Sequence, residues 1–287
     1  MVTQENSGVS RAANTAYENS NGELIAFLDA DDVFKPRKLE QVLASFRDNP
    51  RSGFCVHSIQ PVTADGQPLG PPYPPNVDHG WIGPEKLKEG SLSSLPPVSG
   101  LSFRREVASL LFPSPAQLVR LEDCYLCTAQ FLTEVSLAPK CLTDYRVHRA
   151  HITGVAGDEP RPFWSMFDAE GHIRFVGDLE KVVPLQKAVL ARFYGQEVAD
   201  KLRLEDHQGY WDALLGIRAL RGKRAGAIRP YRVQGMIGHV RRPANKRLWR
   251  AIMLLPDPLA KQAFCLWRGS SPLKRIAKAA LLPLIRS

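Results

Sequence analysis

The sequence predicts an α/β layer fold over its first half and a mainly helical, strongly basic second half. Three observations lead there. Up to about residue 155, apolar runs too short for a helix alternate with segments of helical period. From about Pro160 the helical period takes over, as in "GDLEKVVPLQKAVLARFYGQEVADKL". The charge is divided as well. His207 to Ser287 holds 17 Lys/Arg against two acids, Asp212 and Asp257, whereas residues 1–206 hold 21 basic and 27 acidic residues. This asymmetry predicts two regions, residues 1–155 and 156–287.

Taken in order, residues 8–20 ("GVSRAANTAYENS") read as a helix with Ser10 as its cap. Leu24 to Leu28 read as an interior strand. "VFKPRKLEQVLASFRD" has Pro36 in the first turn of a helix and Leu39, Val42, Leu43 and Phe46 on its apolar face. "SGFCVHSIQPVTADGQPLG" reads as a strand pair turning at Asp65-Gly66. A proline-rich loop, a short helix in "GPEKLKEGSL" and a strand passing into a helix in "PPVSGLSFRREVASLL" follow. "QLVRLEDCYLCTAQFLTE" places Glu122 and Asp123 at a helix start. "EVSLAPKCLTDYRVHRAHITG" gives a strand, a turn and a second strand ending at His148.

Asp29, Asp31 and Asp32 follow the Leu24–Leu28 run with only Ala30 among them. On an extended backbone, residues two apart share a side, so Asp29 and Asp31 converge and Asp32 turns away. Converging carboxylates raise each other's pKa unless something positive lies between them, and a hard divalent cation suits oxygen ligands. The same residues also suit a solvated turn in which Asp32 caps the helix near Pro36. Glu122 and Asp123 likewise suit either chemistry or an acidic first turn favoured by the helix dipole.

Other classes are set aside. Five cysteines make no framework, and the Cys124-x-x-Cys127 pair has no second pair to complete a zinc site, so the thiols read as buried in a reducing compartment. No stretch approaches the roughly 20 apolar residues of a spanning helix. "MVTQENSGVS" lacks the pattern of a secretory signal, so a cytoplasmic chain is expected.

The order of these signals resembles the glycosyltransferase family 2 enzymes of the GT-A fold, from about Gln4 to Gly154. "QENSGVSRAANTAYENSNGELIAFLDADD" is similar to the family's Asn-x-Gly, Arg-Asn helix, Gly-Glu, and apolar strand ending in D-x-D-D. "ADGQPLG", "SGLSFRREV", "LEDCYL" and "DYRVHRAHITG" then follow in the family's order.

The resemblance implies a Rossmann-like, mixed-sheet domain. It implies an inverting transfer of sugar from a nucleotide-diphosphate donor, a UDP-sugar above all, to a saccharide, lipid-linked or other envelope acceptor, assisted by Mg2+ or Mn2+. The family's D-x-D falls on Asp29 and Asp31, which with His148 would hold the metal; Asp31 would ligate it directly, and Asp29 would reach the ribose or a metal-bound water. Asp32 is the weaker candidate. His148 would lie by the metal and diphosphate, and Arg146 would contact the diphosphate. Asp123 would be the catalytic base, with Glu122 contacting or orienting the acceptor. Two letters depart from the pattern: Ala13 stands where the family has Arg, with Arg11 two positions earlier, and Ala16 where it has Gly. The family's first βα units have no counterpart before Met1, so a GT-A domain lacking its N-terminal nucleotide-binding strands is expected. The alternative is a truncated or inactive homologue that binds a partner or a membrane surface.

The basic region interleaves its charges with Trp249, Leu254, Trp267 and "IAKAALLPLI". That pattern suits peripheral contact with the inner face of an anionic membrane, or simply a solvated basic helical face. Without helix-turn-helix, zinc-finger or RNA-binding signatures, no nucleic-acid partner is expected.

Overall fold

The computed structural model describes residues 2–89, 95–116, 118, 125–147 and 169–204, with 210, 217, 255, 256, 258 and 259 beyond them. Contacts divide the chain into two units, one of Met1–Val147 with Asp178–Asp206 and one of His148–Gly177 with His207–Ser287. The basic region falls almost wholly outside the described residues.

The α/β expectation holds. In chain order the elements are α1 (Val9–Glu18), β1 (Leu24–Ala26), β2 (Val33–Phe34), α2 (Lys38–Asp48), β3 (Ser52–Val56), β4 (Ile59–Val62), α3 (Gly83–Glu89), β5 (Leu101–Arg104), α4 (Arg105–Leu111), β6 (Glu134–Leu137), β7 (Thr143–Arg146), α5 (Ala169–Tyr194) and α6 (Gln196–Ala199). Short 3₁₀ turns at Val98–Gly100 and Cys127–Phe131 precede β5 and β6. Among the described residues no helix is long and apolar enough to cross a membrane.

The strands form two sheets. The larger has the order β1-β5-β3-β6, with β5 antiparallel to both neighbours and β3 parallel to β6. The smaller has the order β2-β7-β4, with β7 antiparallel to β2 and parallel to β4. Two strand readings change. β1 is a half-buried margin strand, and Leu28 beyond it is 47% exposed, because the chain leaves the sheet after Ala26. β3 and β4 are adjacent in sequence yet belong to different sheets. The hairpin at Asp65-Gly66 is as expected, with Gly66 at φ 86 and β4 folded back onto Pro68 and Leu69; what changes is that its first arm is broken into β3 and β4.

The core is apolar and aromatic. Phe54, Leu101, Phe103, Leu126 and Ala129 are fully enclosed. A chain of rings runs through it: Tyr17 stacks on Phe112 at 4.6 Å, Phe112 on Phe27 at 6.0 Å, Phe27 meets Phe103 edge-on at 5.8 Å, and Phe103 stacks on Phe54 at 4.7 Å. Each enclosed ring contributes about 2–3 kcal/mol by leaving water. The ladder ties α1 to β3 and anchors Phe27, two residues before the first aspartate. Close approach matters at Gly83, where a Cβ would lie 2.8 Å from both the Gln130 carbonyl and Phe131 Cα.

The caps differ from expectation. Ser10 lies inside α1 and is buried, donating its hydroxyl to the Leu118 carbonyl at 2.6 Å. Asn14 accepts from the Ser114 N–H at 2.7 Å and donates to the Ser114 carbonyl at 2.9 Å. α2 begins two residues after Pro36, with Arg37 in the left-handed region at φ 67. Its inner face is Lys38, Val42, Ser45 and Phe46, while Leu39 is 60% exposed. Of the thiols, Cys55 is buried and Cys127 and Cys141 are half-buried.

His57, fully enclosed at the end of β3, shows how burial acts on stability. Burial pushes its imidazole down to about 4, with the Lys38 charge acting the same way. The unfolded chain therefore takes up the proton first, so this contribution is complete above the ordinary histidine range and declines as pH falls toward 4. We expect a His57→Gln variant to lose roughly 2–3 kcal/mol less than the parent between about pH 7 and pH 4, measured by urea unfolding.

Candidate metal and nucleotide site

After β1 the chain makes a tight turn closed by the Asp32 N–H donating to the Asp29 carbonyl at 3.1 Å, and β2 follows. This turn corrects the extended-backbone expectation. Asp32 does not point away: one oxygen from each of Asp29, Asp31 and Asp32 lies within 4.8 Å of the others. Asp29 and Asp31 are half-buried, and Asp32 is the buried member at 7% exposure. Nor does Asp32 cap α2, because β2 and Lys35 to Arg37 intervene.

The second sheet holds Asp32 in place. β2 pairs with β7 in the register Val33 to Asp144 and Phe34 to Thr143, reinforced by a Lys35–Asp144 ion pair of 3.1 Å. This brings the Arg146 N–H to Asp32 Oδ1 at 2.9 Å. Arg146 therefore meets the acidic turn through its backbone, and its Nε is buried without a hydrogen-bond partner among the described residues. Asp32 Oδ2 is also buried and lacks such a partner. Burial raises the Asp32 carboxyl to about 6. The nearby Ser99 hydroxyl, which makes no well-aligned bond to it, and the Arg146 N–H pull the other way, and the Asp31 charge adds to the rise.

Sequence reasoning missed Lys38. Its side chain is 1% exposed and its Nζ donates to the Ser99 carbonyl at 2.7 Å and to Thr143 Oγ1 at 3.3 Å. The ammonium also sits 3.4 Å above the centre of the Phe34 ring. Burial pushes it down to about 7, against the upward pull of the Asp32 charge. The one signal in the sequence was spacing, since Lys38, Val42 and Phe46 recur at four-residue intervals and define a face. Glu122, Asp123 and His148 lie outside the described residues.

The donor set fits a hard divalent cation. Three carboxylates converge, and one of them presents a buried oxygen with no hydrogen-bond partner among the described residues, a place that favours something positive. A bound Mg2+ or Mn2+ would be held by Asp29, Asp31 and Asp32 together.

Comparison with known proteins agrees with the resemblance. Residues 1–75 match the model of the family described as Glycosyl transferase family 2. An uncharacterised glycosyltransferase of Nostoc sp. is 29% identical over 161 residues, 52% of this chain and 47% of that protein. A Bacillus subtilis protein named as a teichuronic acid biosynthesis glycosyltransferase, TuaG, is 39% identical over 69 residues, 24% of this chain and 27% of its own length. The crystal structure of S. aureus TarS 1-349 in complex with UDP-GlcNAc covers 92% of this chain and 74% of that one, at 16% identity and a TM-score of 0.41. The chain spans about half the length of the Nostoc relative. The acidic turn lies within the residues that match the family model.

Asp32→Asn keeps an oxygen for the Arg146 N–H but removes the charge. We expect it to weaken Mn2+ binding at least about tenfold in calorimetry, with the circular dichroism spectrum unchanged.

Proposed function

We propose that this chain is an inverting, metal-assisted glycosyltransferase that takes a sugar from a nucleotide-diphosphate donor, first of all a UDP-sugar. The acceptor is a saccharide or lipid-linked intermediate of the cell envelope. The observation that carries the reading is the convergence of Asp29, Asp31 and Asp32 inside the segment that matches family 2. The envelope acceptor draws support from the name of the TuaG relative.

Asp29, Asp31 and Asp32 would hold the cation, which when bound supplies neutralising charge to the departing diphosphate. Asp29 faces the ribose or a metal-bound water. Asp123, assigned by resemblance, takes the proton of the acceptor hydroxyl as its oxygen forms the new bond to the anomeric carbon. The bond from that carbon to the diphosphate oxygen breaks on the opposite side, which inverts the configuration. Glu122 orients the acceptor, and His148 and Arg146 attend the diphosphate. The basic region supports a cytoplasmic location with peripheral contact to an anionic membrane, where each Lys or Arg contributes about 1 kcal/mol.

Calorimetry with UDP and Mn2+ tests the reading on the whole chain. Metal-dependent heat is expected from the parent. Asp31→Ala should weaken Mn2+-dependent UDP binding at least about tenfold. Asp123→Asn should bind UDP and Mn2+ like the parent while sugar transfer, followed as UDP release, drops at least about a hundredfold. A folded parent without metal-dependent heat would remove the enzyme reading, and identical behaviour of the two variants would remove the division of roles.

A further inference from the structure

We propose that Lys38 is a positioning residue for the carboxylate turn, acting through Ser99 on Asp29; this rests on the metal-assisted reading above. The geometry forms one continuous path. Lys38 Nζ donates to the Ser99 carbonyl at 2.7 Å, and Thr143 Oγ1 donates to the same carbonyl at 3.1 Å. The hydroxyl of that serine accepts the Asp29 N–H at 2.9 Å. Ser99 and Thr143 are fully enclosed, and Lys38 is nearly so. A single buried ammonium thus joins the start of α2, the 3₁₀ turn before β5, and β7, three elements that surround the acidic turn.

Two further features hold this arrangement. Arg37, immediately before Lys38, occupies the left-handed region at φ 67, a conformation uncommon outside glycine and asparagine. The residue that follows this twist, Lys38, is the first of α2 and is 1% exposed. Gly100, directly after Ser99, lies where a Cβ would meet the Pro96 side chain at 2.6 Å and the His57 carbonyl at 3.0 Å. The 3₁₀ turn is therefore wedged from one side by Pro96 and pinned from the other by Lys38. Neither Lys38 nor Ser99 offers its polar atoms to solvent, so both act through the carboxylates beside them: on Asp29 through its N–H, and on Asp32 through charge and the Ser99 hydroxyl.

A positioning role and a purely electrostatic role predict opposite signs. Removing a positive charge near the carboxylates strengthens their attraction for a cation. Loosening the support of Asp29 weakens it. The test titrates Mn2+ in the presence of saturating UDP into the parent, Lys38→Met, Ser99→Ala and the double variant, with thermal melting recorded without metal. We expect each single variant to weaken Mn2+ binding by about tenfold, and the double variant to be no worse than the weaker single, because both changes cut one path. Melting should stay cooperative in all four. Unchanged or tighter Mn2+ binding in Lys38→Met would overturn the proposal. Should Lys38→Met fail to fold, parent-like affinity in Ser99→Ala overturns it equally. No Mn2+-dependent binding by the parent would instead bring down the metal-assisted reading itself, and this inference with it.

Discussion

The antiparallel seam between β2 and β7 is the constraint on which the acidic turn depends. β2 is only two residues long, so the pairing of Val33 with Asp144 and Phe34 with Thr143 leaves little else to hold it. One residue of slip would turn every side chain on the strand to the other face. In the observed register the seam ends at the Arg146 N–H, which grips the Asp32 carboxylate. A carboxylate bound by a backbone donor stays in the cluster; without it, hydration would draw that group outward.

Next to this seam lies a second constraint, the enclosure of opposite charges. Burial presses Asp32 and Lys38 toward their neutral forms, while each favours the ionised form of the other. Each thereby offsets part of the cost of enclosing the other. The Phe34 ring beneath the Lys38 ammonium offsets part of the cost of dehydrating it. The site is thus built from groups that are each unfavourable alone.

Much of the frame was legible because local period is a local property. The helices of α1, α3 and α4, the strands β5, β6 and β7, and the acidic run after β1 all follow from spacing and turn residues. What could not be read depends on partners far along the chain. Arg146 and Asp32 are 114 residues apart and Lys38 and Ser99 61 apart, so neither contact leaves a trace in nearby sequence. The separation of β3 from β4 into two sheets has the same origin: each finds its partner in a later strand. The inner face of α2 was misjudged for a related reason. Leucines at 39 and 43 outrank a lysine at 38 on any hydrophobic scale, and the acceptors that let Lys38 turn inward, Ser99 and Thr143, lie far along the chain.

Asn14 shows how a residue that reads as part of a motif can be dictated by the main chain opposite. Its planar amide presents a donor and an acceptor one peptide's width apart, and Ser114 answers with an acceptor and a donor. The side chain behaves as a spare peptide group, letting a helix dock as though it were one more strand. Aspartate has the shape without the donor, and glutamine has both functions but stands off by a methylene. Tolerance at position 14 is accordingly set by backbone stereochemistry and not by the chemistry of the acidic turn.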